Sequence, residues 1–364
     1  MTVTTAPPEA PQQAPVRETP RLTSGHLPAW GPWAILAGSL AISAILFGVL
    51  SISSGEGFNL AGWGVVAALL YLALITTTSS LVEGRRKGVD RLVTGVVTIA
   101  FLVAMVPLVS LAITVLVNGV AGLSAEFFTS SMRNVVGEGG GALHAIVGTL
   151  LITLAAAVIS IPIGIFAAIY LVEYGAGNRV ARGITFLVDV MTGIPSIVAG
   201  LFAYAVFALF FGPGIRMGIM GSIALAVLMI PVVVRSTEEM LRLVPNELRE
   251  ASYALGVPKW RTILKVVVPT SIGGVITGVV LAISRVIGET APLLVVAGAT
   301  DGVNLDLFDG RMTTLPVFIY SQYALSTPAG YERAWGGALV LIAIVMVLNL
   351  IARALGKLLA PKKA

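Results

Sequence analysis

The sequence predicts an all-α, polytopic membrane protein, and its composition, apolar stretches and charge placement support this fold class. The chain has 364 residues, of which 57% are hydrophobic and only 11% are charged. A soluble globular domain carries about 25% charged residues, so this chain lacks the polar surface that a water-facing fold needs. Its apolar residues gather into stretches of the roughly 20 residues with which a helix crosses about 30 Å of hydrocarbon.

Eight apolar stretches are long enough to be membrane-spanning helices. They lie near residues 31–52, 61–82, 92–117, 146–171, 183–211, 217–235, 270–296 and 335–353. The stretch at 183–211 contains Asp189 and Pro195, and the proline predicts a kink. The polar gap at 298–334 is expected to form short helices between the last two spans.

The basic residues predict the orientation of these spans, because Lys and Arg accumulate on the cytoplasmic side. Of the 23 basic residues, 18 lie on the side that holds both termini, four lie on the other side, and Arg285 lies within a span. We therefore expect a multi-pass protein with both termini in the cytoplasm.

The predicted spans divide into two groups. The first two contain no ionisable residue, whereas every charged residue within a span comes later. We expect a Pro-rich disordered cytoplasmic tail over 1–28, an added transmembrane hairpin over 29–90, a functional core of about six spans over 91–355, and a basic tail over 356–364.

Several functional classes are excluded by the composition. The chain has no cysteine, which excludes disulfides, thiolate metal sites and cysteine nucleophiles. Its two histidines, His26 and His144, give no reason to expect a metal centre. The chain has no G-x-x-x-x-G-K-[ST] phosphate-binding loop, so we predict a protein that is not itself an enzyme. The net charge of +5 follows the positive-inside pattern, so the expected partner is the lipid bilayer and not nucleic acid.

The longest predicted cytoplasmic loop, residues 235–268, contains a helix–glycine–helix pattern. Pro245 suits the first turn of a helix, Gly256 suits a left-handed residue at its end, and Pro258 suits the start of a second helix. The pattern predicts an elbow outside the bilayer. One face of its first helix is expected to present Leu248, Ser252 and Leu255, with charges on the other face.

This loop resembles the EAA loop of ABC importer permeases. The resemblance lies in Glu250-Ala251-Ser252, then Gly256, then Val266 and Val268-Pro269. This chain differs from the usual pattern at three places: Ser252 stands for the second Ala, Val266 for the aliphatic residue and Val268 for Leu. It implies that a separate ATPase subunit is contacted by Glu250, Ala251, Ser252, Leu255 and Gly256. Without the resemblance, an amphipathic helix resting on lipid headgroups remains an alternative.

The span at 270–296 contains Arg285 and Glu289, which are four residues apart and are expected to pair on one helical face. An arginine in mid-bilayer costs about 2.5–3.5 kcal/mol on insertion scales, so it is expected to face a polar cavity or a partner. Gly288 and Pro292 predict that the helix opens here. The pattern leaves two interpretations open: Arg285 binds a passing oxyanion, or the pair joins neighbouring helices.

Four segments resemble the A subunit of phosphate-specific ABC importer permeases. They are R-V-I-G-E-T-A-P-L at 285–293, V-P-N-E-L-R-E-A-S-Y-A-L-G at 244–256, G-I-P-S-I-V at 193–198 and A-I-Y-L-V-E-Y at 168–174. The resemblance covers roughly residues 90–355. It implies a type I permease core of about six transmembrane helices, preceded here by the additional hairpin, in a bacterial cytoplasmic membrane.

The resemblance also implies a function and partners. The chain would import inorganic phosphate, with Arg285, Glu289, Pro195 and Ser196 on the pathway. It would assemble with a homologous C-type permease subunit, two copies of an ATPase subunit and an extracytoplasmic phosphate-binding protein. ATP and Mg²⁺ would be bound by the ATPase subunits, and no cofactor by this chain. Asp189 is expected to pair with Arg182 at the inner surface.

Three other functions are compatible with parts of this sequence. Import of another oxyanion, such as molybdate, sulfate or phosphonate, is the nearest alternative, because the selecting contacts can lie on the binding protein. An ion-coupled secondary carrier could use Arg285, Glu289 and Asp189 as a relay, but such a carrier needs no ATPase-binding elbow. A non-transporting scaffold would leave the charged pair without a purpose.

Overall fold

A computed structural model describes residues 25–55, 57–175 and 177–359. Most of the predicted Pro-rich tail and the end of the basic C-terminal tail lie outside these residues. Within them the chain forms fourteen α-helices and two π-helical turns, and it contains no β-strand.

The first five helices are α1 (Gly31–Ser54), α2 (Leu60–Val82), α3 (Arg85–Ala121), α4 (Ala125–Thr129) and α5 (Leu143–Ile169). The next five are α6 (Arg179–Thr192), α7 (Ser196–Phe211), α8 (Gly218–Arg242), α9 (Asn246–Ala254) and α10 (Lys259–Thr262). The last four are α11 (Val268–Val286), α12 (Ala291–Val296), α13 (Leu315–Ala324) and α14 (Pro328–Leu359). The π-helical turns are Tyr170–Tyr174, which extends α5, and Ile263–Val267, which joins α10 to α11.

Seven helical segments of the described chain are long and apolar enough to cross a membrane, and α6 with α7 adds an eighth if this bent pair counts as one span. The predicted all-α polytopic class is confirmed. The predicted polar gap at 298–334 contains α13, which confirms a short helix between the last two spans.

Residues 183–211 were predicted as one span with a kink at Pro195, and the structure breaks them at this point into two separate helices. The axes of α6 and α7 are bent by 111° across residues 193–195. Pro195 has an extended ψ of 136° and no backbone N–H, so the helix cannot continue through it. The two helices also differ in character, since α6 is strongly amphipathic and α7 is apolar on all sides.

Residues 270–296 were also predicted as one span, and the structure interrupts them at residues 287–290. The helix α11 ends at Val286, and the backbone N–H of Glu289 donates to the carbonyl of Val286 at 3.1 Å, which closes a tight turn. Pro292 lies in the first turn of α12. The predicted opening of the helix near Gly288 and Pro292 is therefore confirmed, but the span does not continue through it.

The chain divides into two units, one ending at Ser110 and one beginning at Leu111, with the division inside α3. In the second unit α5 packs closely along α8. A Cβ on Gly164 would lie 2.6 Å from Cγ1 of Val233, so only glycine permits this approach of the two helices. The hydroxyl of Thr149 accepts a hydrogen bond from the backbone N–H of Leu315 at 2.7 Å, which joins α13 to α5.

In the first unit α1 and α2 form a hairpin, and Glu83 closes its end. The Glu83 side chain is 2% exposed and accepts hydrogen bonds from Arg91 Nε at 2.9 Å and from Ser79 Oγ at 2.7 Å. The backbone N–H of Leu27 donates to the same carboxylate at 3.1 Å. These bonds, led by that of Arg91, outweigh the effect of burial and lower the pKa of Glu83 to about 2.

We expect Glu83→Gln to lower the melting temperature of the purified chain by several degrees at pH 7, because Arg91 loses its carboxylate. The folded pKa lies below the ordinary value of 4.5, so the carboxylate contributes fully above about pH 4.5 and its contribution is lost as the pH falls toward 2. Thermal melts of wild type and variant across pH would test this. Asp90→Asn, at an exposed position on α3, is the control, and a difference that widens on acidification would contradict the prediction.

Candidate functional site

The predicted elbow is present. The helix α9 ends at Ala254, Gly256 follows with a left-handed φ of 74°, and α10 begins directly after Pro258. The backbone N–H of Val257 donates to the carbonyl of Ser252 at 3.2 Å, so the turn is hydrogen-bonded across its base. The second arm is not a separate surface helix, because α10 continues through the π-helical turn into α11.

The surface of the elbow is formed by Glu250, Ala251, Leu255 and Gly256, which are all exposed. Leu255 is a large apolar side chain, yet it is 83% exposed, because no other described residue covers it. Ser252 was expected at the surface beside Leu248 and Leu255, but the two leucines are exposed and Ser252 is not. Ser252 is buried and its hydroxyl bonds to that of Thr262 at 2.8 Å, because the second arm folds back onto this side of α9.

A buried ion pair that the sequence analysis missed holds α9 to the rest of the second unit. Arg249 donates from Nη2 and Nε to Oε1 of Glu173, at 2.8 and 3.1 Å. The same guanidinium donates to the carbonyls of Val244 at 2.6 Å and Leu241 at 3.0 Å. The side chains of Arg249 and Glu173 are only 12% and 4% exposed. One side chain of the elbow therefore binds the end of α5 and the end of α8.

Both π-helical turns lie next to this elbow. One contains Glu173 and the other directly follows α10. The Nζ atom of Lys259 lies 4.9 Å from the ring centroid of Tyr174, a cation–π contact that joins the second arm to the same end of α5. Single π-helical turns inside long helices occur frequently at functional sites.

Four charged side chains form a network at the same end of α8. Arg235 binds Asp189 of α6, and its Nη1 atom donates to Glu238 at 3.0 Å. Glu238 also accepts a bond from Arg242 at 2.5 Å. The expected pairing of Asp189 with Arg182 is wrong. The two are seven residues apart on α6, whereas α8 presents Arg235 directly to the carboxylate.

Arg285 and Glu289 do not pair in the described chain, so the expected ion pair is wrong. Arg285 lies in the last turn of α11 and is exposed, whereas Glu289 lies beyond the end of the helix and is half-buried. The i, i+4 relation holds only on a continuous helix, and the interruption at Gly288 removes it. Neither side chain has a hydrogen bond or an ion pair to another described residue.

The other two predicted pathway residues lie at the second interruption. Pro195 precedes α7 and Ser196 is its first residue. The helix α7 packs on α12 where a Cβ on Gly200 would lie 2.7 Å from Cα of Pro292. The two interrupted segments are thus in contact, which brings both predicted motifs into one region. Among the described residues, no group of three or more His, Asp or Glu side chains could hold a metal ion.

Comparisons with known proteins agree with this geometry. Residues 160–364 match the family described as binding-protein-dependent transport system inner membrane component. Phosphate transport system permease proteins PstA 1 of Mycobacterium tuberculosis strain H37Rv and PstA of Mycobacterium leprae are both 48% identical to this chain. The first match covers 70% of this chain and 82% of the relative, and the second covers 69% and 83%. A solved structure of the MetNI methionine ABC transporter, in inward-facing conformations, matches 66% of this chain and all of its own with a TM-score of 0.51. At 17% identity it shows a shared fold alone.

We expect Arg249→Gln and Glu173→Gln each to lower the free energy of unfolding by about 3–5 kcal/mol, because each leaves a buried charge unpaired. The double variant should lose less free energy of unfolding than the sum of the two single losses, since the pair is broken only once. Denaturation of the purified variants in detergent measures the coupling. Glu247→Gln, at an exposed position on the same helix, should be nearly neutral, and additive losses would show that the ion pair contributes nothing.

Proposed function

We propose that this chain, which belongs to the family of binding-protein-dependent transport system inner membrane components, is the transmembrane permease subunit of an ATP-driven importer of inorganic phosphate. One observation carries the proposal. The 48% identity to phosphate transport permeases covers more than four fifths of those proteins. The family match over residues 160–364 includes both the elbow and the interrupted segment with Arg285. The chain is a transport subunit and performs no covalent chemistry.

The exposed elbow supports coupling to an ATPase subunit. Glu250, Ala251, Leu255 and Gly256 face solvent on α9 and the turn that follows it, and this segment is fixed from behind by Arg249 and Ser252. A socket on the ATPase that grips this surface would move α9 as a rigid piece. The motion would reach α5 and α8 through Arg249, and α11 through the continuous second arm of the elbow.

The interruption between α11 and α12 supports passage of an anion. Arg285 is always charged, and its planar guanidinium fork matches two oxygens of a phosphate. In the described chain this fork has no carboxylate partner, and Pro292 and Pro195 divide the adjoining helices into segments that can tilt separately. Glu289 lies beyond the same helix end, where its negative charge would repel an anion that stays bound at Arg285.

The assembly we propose has both termini in the cytoplasm, which places α9 there too. Residues 91–355 would form the permease domain, with residues 29–90 as an added hairpin. A homologous C-type permease would supply the other half of the pathway. Two ATPase subunits would dock at the elbows, and a phosphate-binding protein would dock on the opposite side of the membrane.

Coupling through the elbow is testable with Glu250→Lys and Gly256→Pro. Proline fixes φ near −65°, which the left-handed Gly256 cannot adopt without reshaping the elbow. Both variants should lose the ATPase subunit on co-purification, and phosphate uptake should fall by about tenfold or more. Glu239→Lys, an exposed charge reversal on α8, should keep both. Retention of the ATPase and of uptake in the first two variants would refute the permease role.

Passage of the anion is testable with Arg285→Gln, which removes the charge and keeps the length of the side chain nearly unchanged. The complex should still assemble, while uptake from the phosphate-binding protein falls about tenfold or more. Arg353→Gln, at an exposed position on α14, is the matched control. Parallel assays with sulfate- and molybdate-binding proteins should give no uptake with the wild-type complex. Unchanged uptake in an assembled Arg285→Gln complex would mean that the arginine does not contact the anion.

A further inference from the structure

Two arginines meet at the end of the second unit that lies opposite the elbow. Arg216 lies two residues before the start of α8, and the 25 residues of that helix separate it from the elbow end by about 37 Å. Arg311 lies in the loop between α12 and α13. In the proposed orientation this end of the unit faces the outside of the cell.

Gly298 allows both arginine stems to lie in one place. It has a left-handed φ of 72°, and a Cβ there would lie 3.0 Å from Cδ of Arg216 and 3.3 Å from Cδ of Arg311. A side chain at this position would crowd both arginine stems, and the positive φ also favours glycine. The backbone therefore brings two positive side chains close together, although the repulsion between their charges opposes this arrangement.

The backbone beside each arginine is fixed to the end of α12. The N–H of Met217 donates to the carbonyl of Val296 at 3.2 Å, and that of Met312 donates to the carbonyl of Ala297 at 3.1 Å. These amides cap the free carbonyls of the helix, so the guanidinium groups are not needed for this task. The two side chains are held in position without being used by the fold.

Neither guanidinium has a partner among the described residues, which include no hydrogen bond or ion pair to either side chain. The arginines near the elbow behave differently. Arg235, Arg242 and Arg249 all bind carboxylates. Arg216 is half-buried and Arg311 is exposed, so an anion can reach both from outside.

The arginines line a cavity of about 390 Å³ together with Leu201, Tyr204, Gly214 and Val295. No carboxylate lines it. Tyr204 Oη accepts a hydrogen bond from the backbone N–H of Gly214 at 2.9 Å, which leaves its own O–H free to donate. A neighbouring depression, which Arg311 shares with Arg133, does contain a carboxylate, that of Asp301. The cavity of Arg216 and Tyr204 is therefore the one suited to an anion.

We propose that Arg216, Arg311 and Tyr204 form a receiving site for a tetrahedral oxyanion at the outer end of α12. Two guanidinium groups and one hydroxyl supply donors on several sides, as a tetrahedral anion requires. The helix α12 has only six residues, about 9 Å. Its other end begins at the interruption that follows Arg285. The site rests on the proposed function and adds a place where phosphate waits before it reaches Arg285.

Uptake by the reconstituted complete transporter tests the role of the site. The double variant Arg216→Gln/Arg311→Gln should lower the maximal rate of phosphate uptake about tenfold, and Tyr204→Phe should lower it about threefold. Arg133→Gln, an exposed arginine outside this cavity, should leave uptake unchanged. The concentration of binding protein that half-saturates ATPase stimulation should stay the same in all three. If that concentration rises in the double variant, the arginines hold an acidic partner surface and the ion site is refuted.

A second measurement detects the anion directly. The chain has no cysteine, so Leu201→Cys places a single thiol of this chain in the cavity wall. In the assembled transporter, inorganic phosphate should slow reaction of this thiol with a neutral maleimide, chloride at equal ionic strength should not, and the slowing should vanish when both arginines are Gln. Slowing that persists without the arginines, or no slowing with them, overturns the site. This measurement needs no transport, so it decides the inference even if the wild-type complex fails to import phosphate and the proposed function fails.

Discussion

The buried contact between Arg249 and Glu173 is the constraint on which the arrangement of the second unit depends. A nine-residue helix has little stability of its own in water, so α9 keeps its position only through contacts made by its inner side. One guanidinium binds the last turn of α5 and two carbonyls at the end of α8. The exposed side of α9 is thereby left free for another subunit, while its inner side stays rigidly attached to the closely packed helices α5 and α8.

The same unit combines that rigid end with two interrupted helices. Prolines at positions 195 and 292 stop the hydrogen-bond ladder, and α7 and α12 pack together through Gly200. A protein that must open alternately to two sides needs parts that move as wholes and places where the chain bends between them. Here the rigid parts are α5, α8 and the elbow, and the bends lie immediately before α7 and before α12.

Much of this could be predicted from the sequence, and the errors have physical causes. The approximate positions of the spans follow from hydrocarbon thickness, although 183–211 and 270–296 are interrupted. The elbow follows from local backbone preferences at Gly256 and Pro258 and was found. Arg249 and Glu173 are 76 residues apart, and pattern rules describe neighbours along one helix, so their contact was missed. The pairing of Arg285 with Glu289 assumed a continuous helix, and Asp189 was matched to Arg182 within its own segment. The first error has a local cause, because the helix is interrupted at Gly288, and the second has a tertiary cause, because α8 presents Arg235 to Asp189.

The shortness of α7 has a consequence for the surrounding lipid. Its sixteen residues extend about 24 Å, less than the roughly 30 Å of acyl chains in an average membrane. The 111° bend turns α6 away from the axis of α7, so α6 does not lengthen α7, and its amphipathic character suits the headgroup boundary. A helix as short as α7 crosses an average bilayer only where that bilayer becomes thinner. The thickness of the bilayer therefore determines how strongly the surrounding lipid strains the joint between α6 and α7.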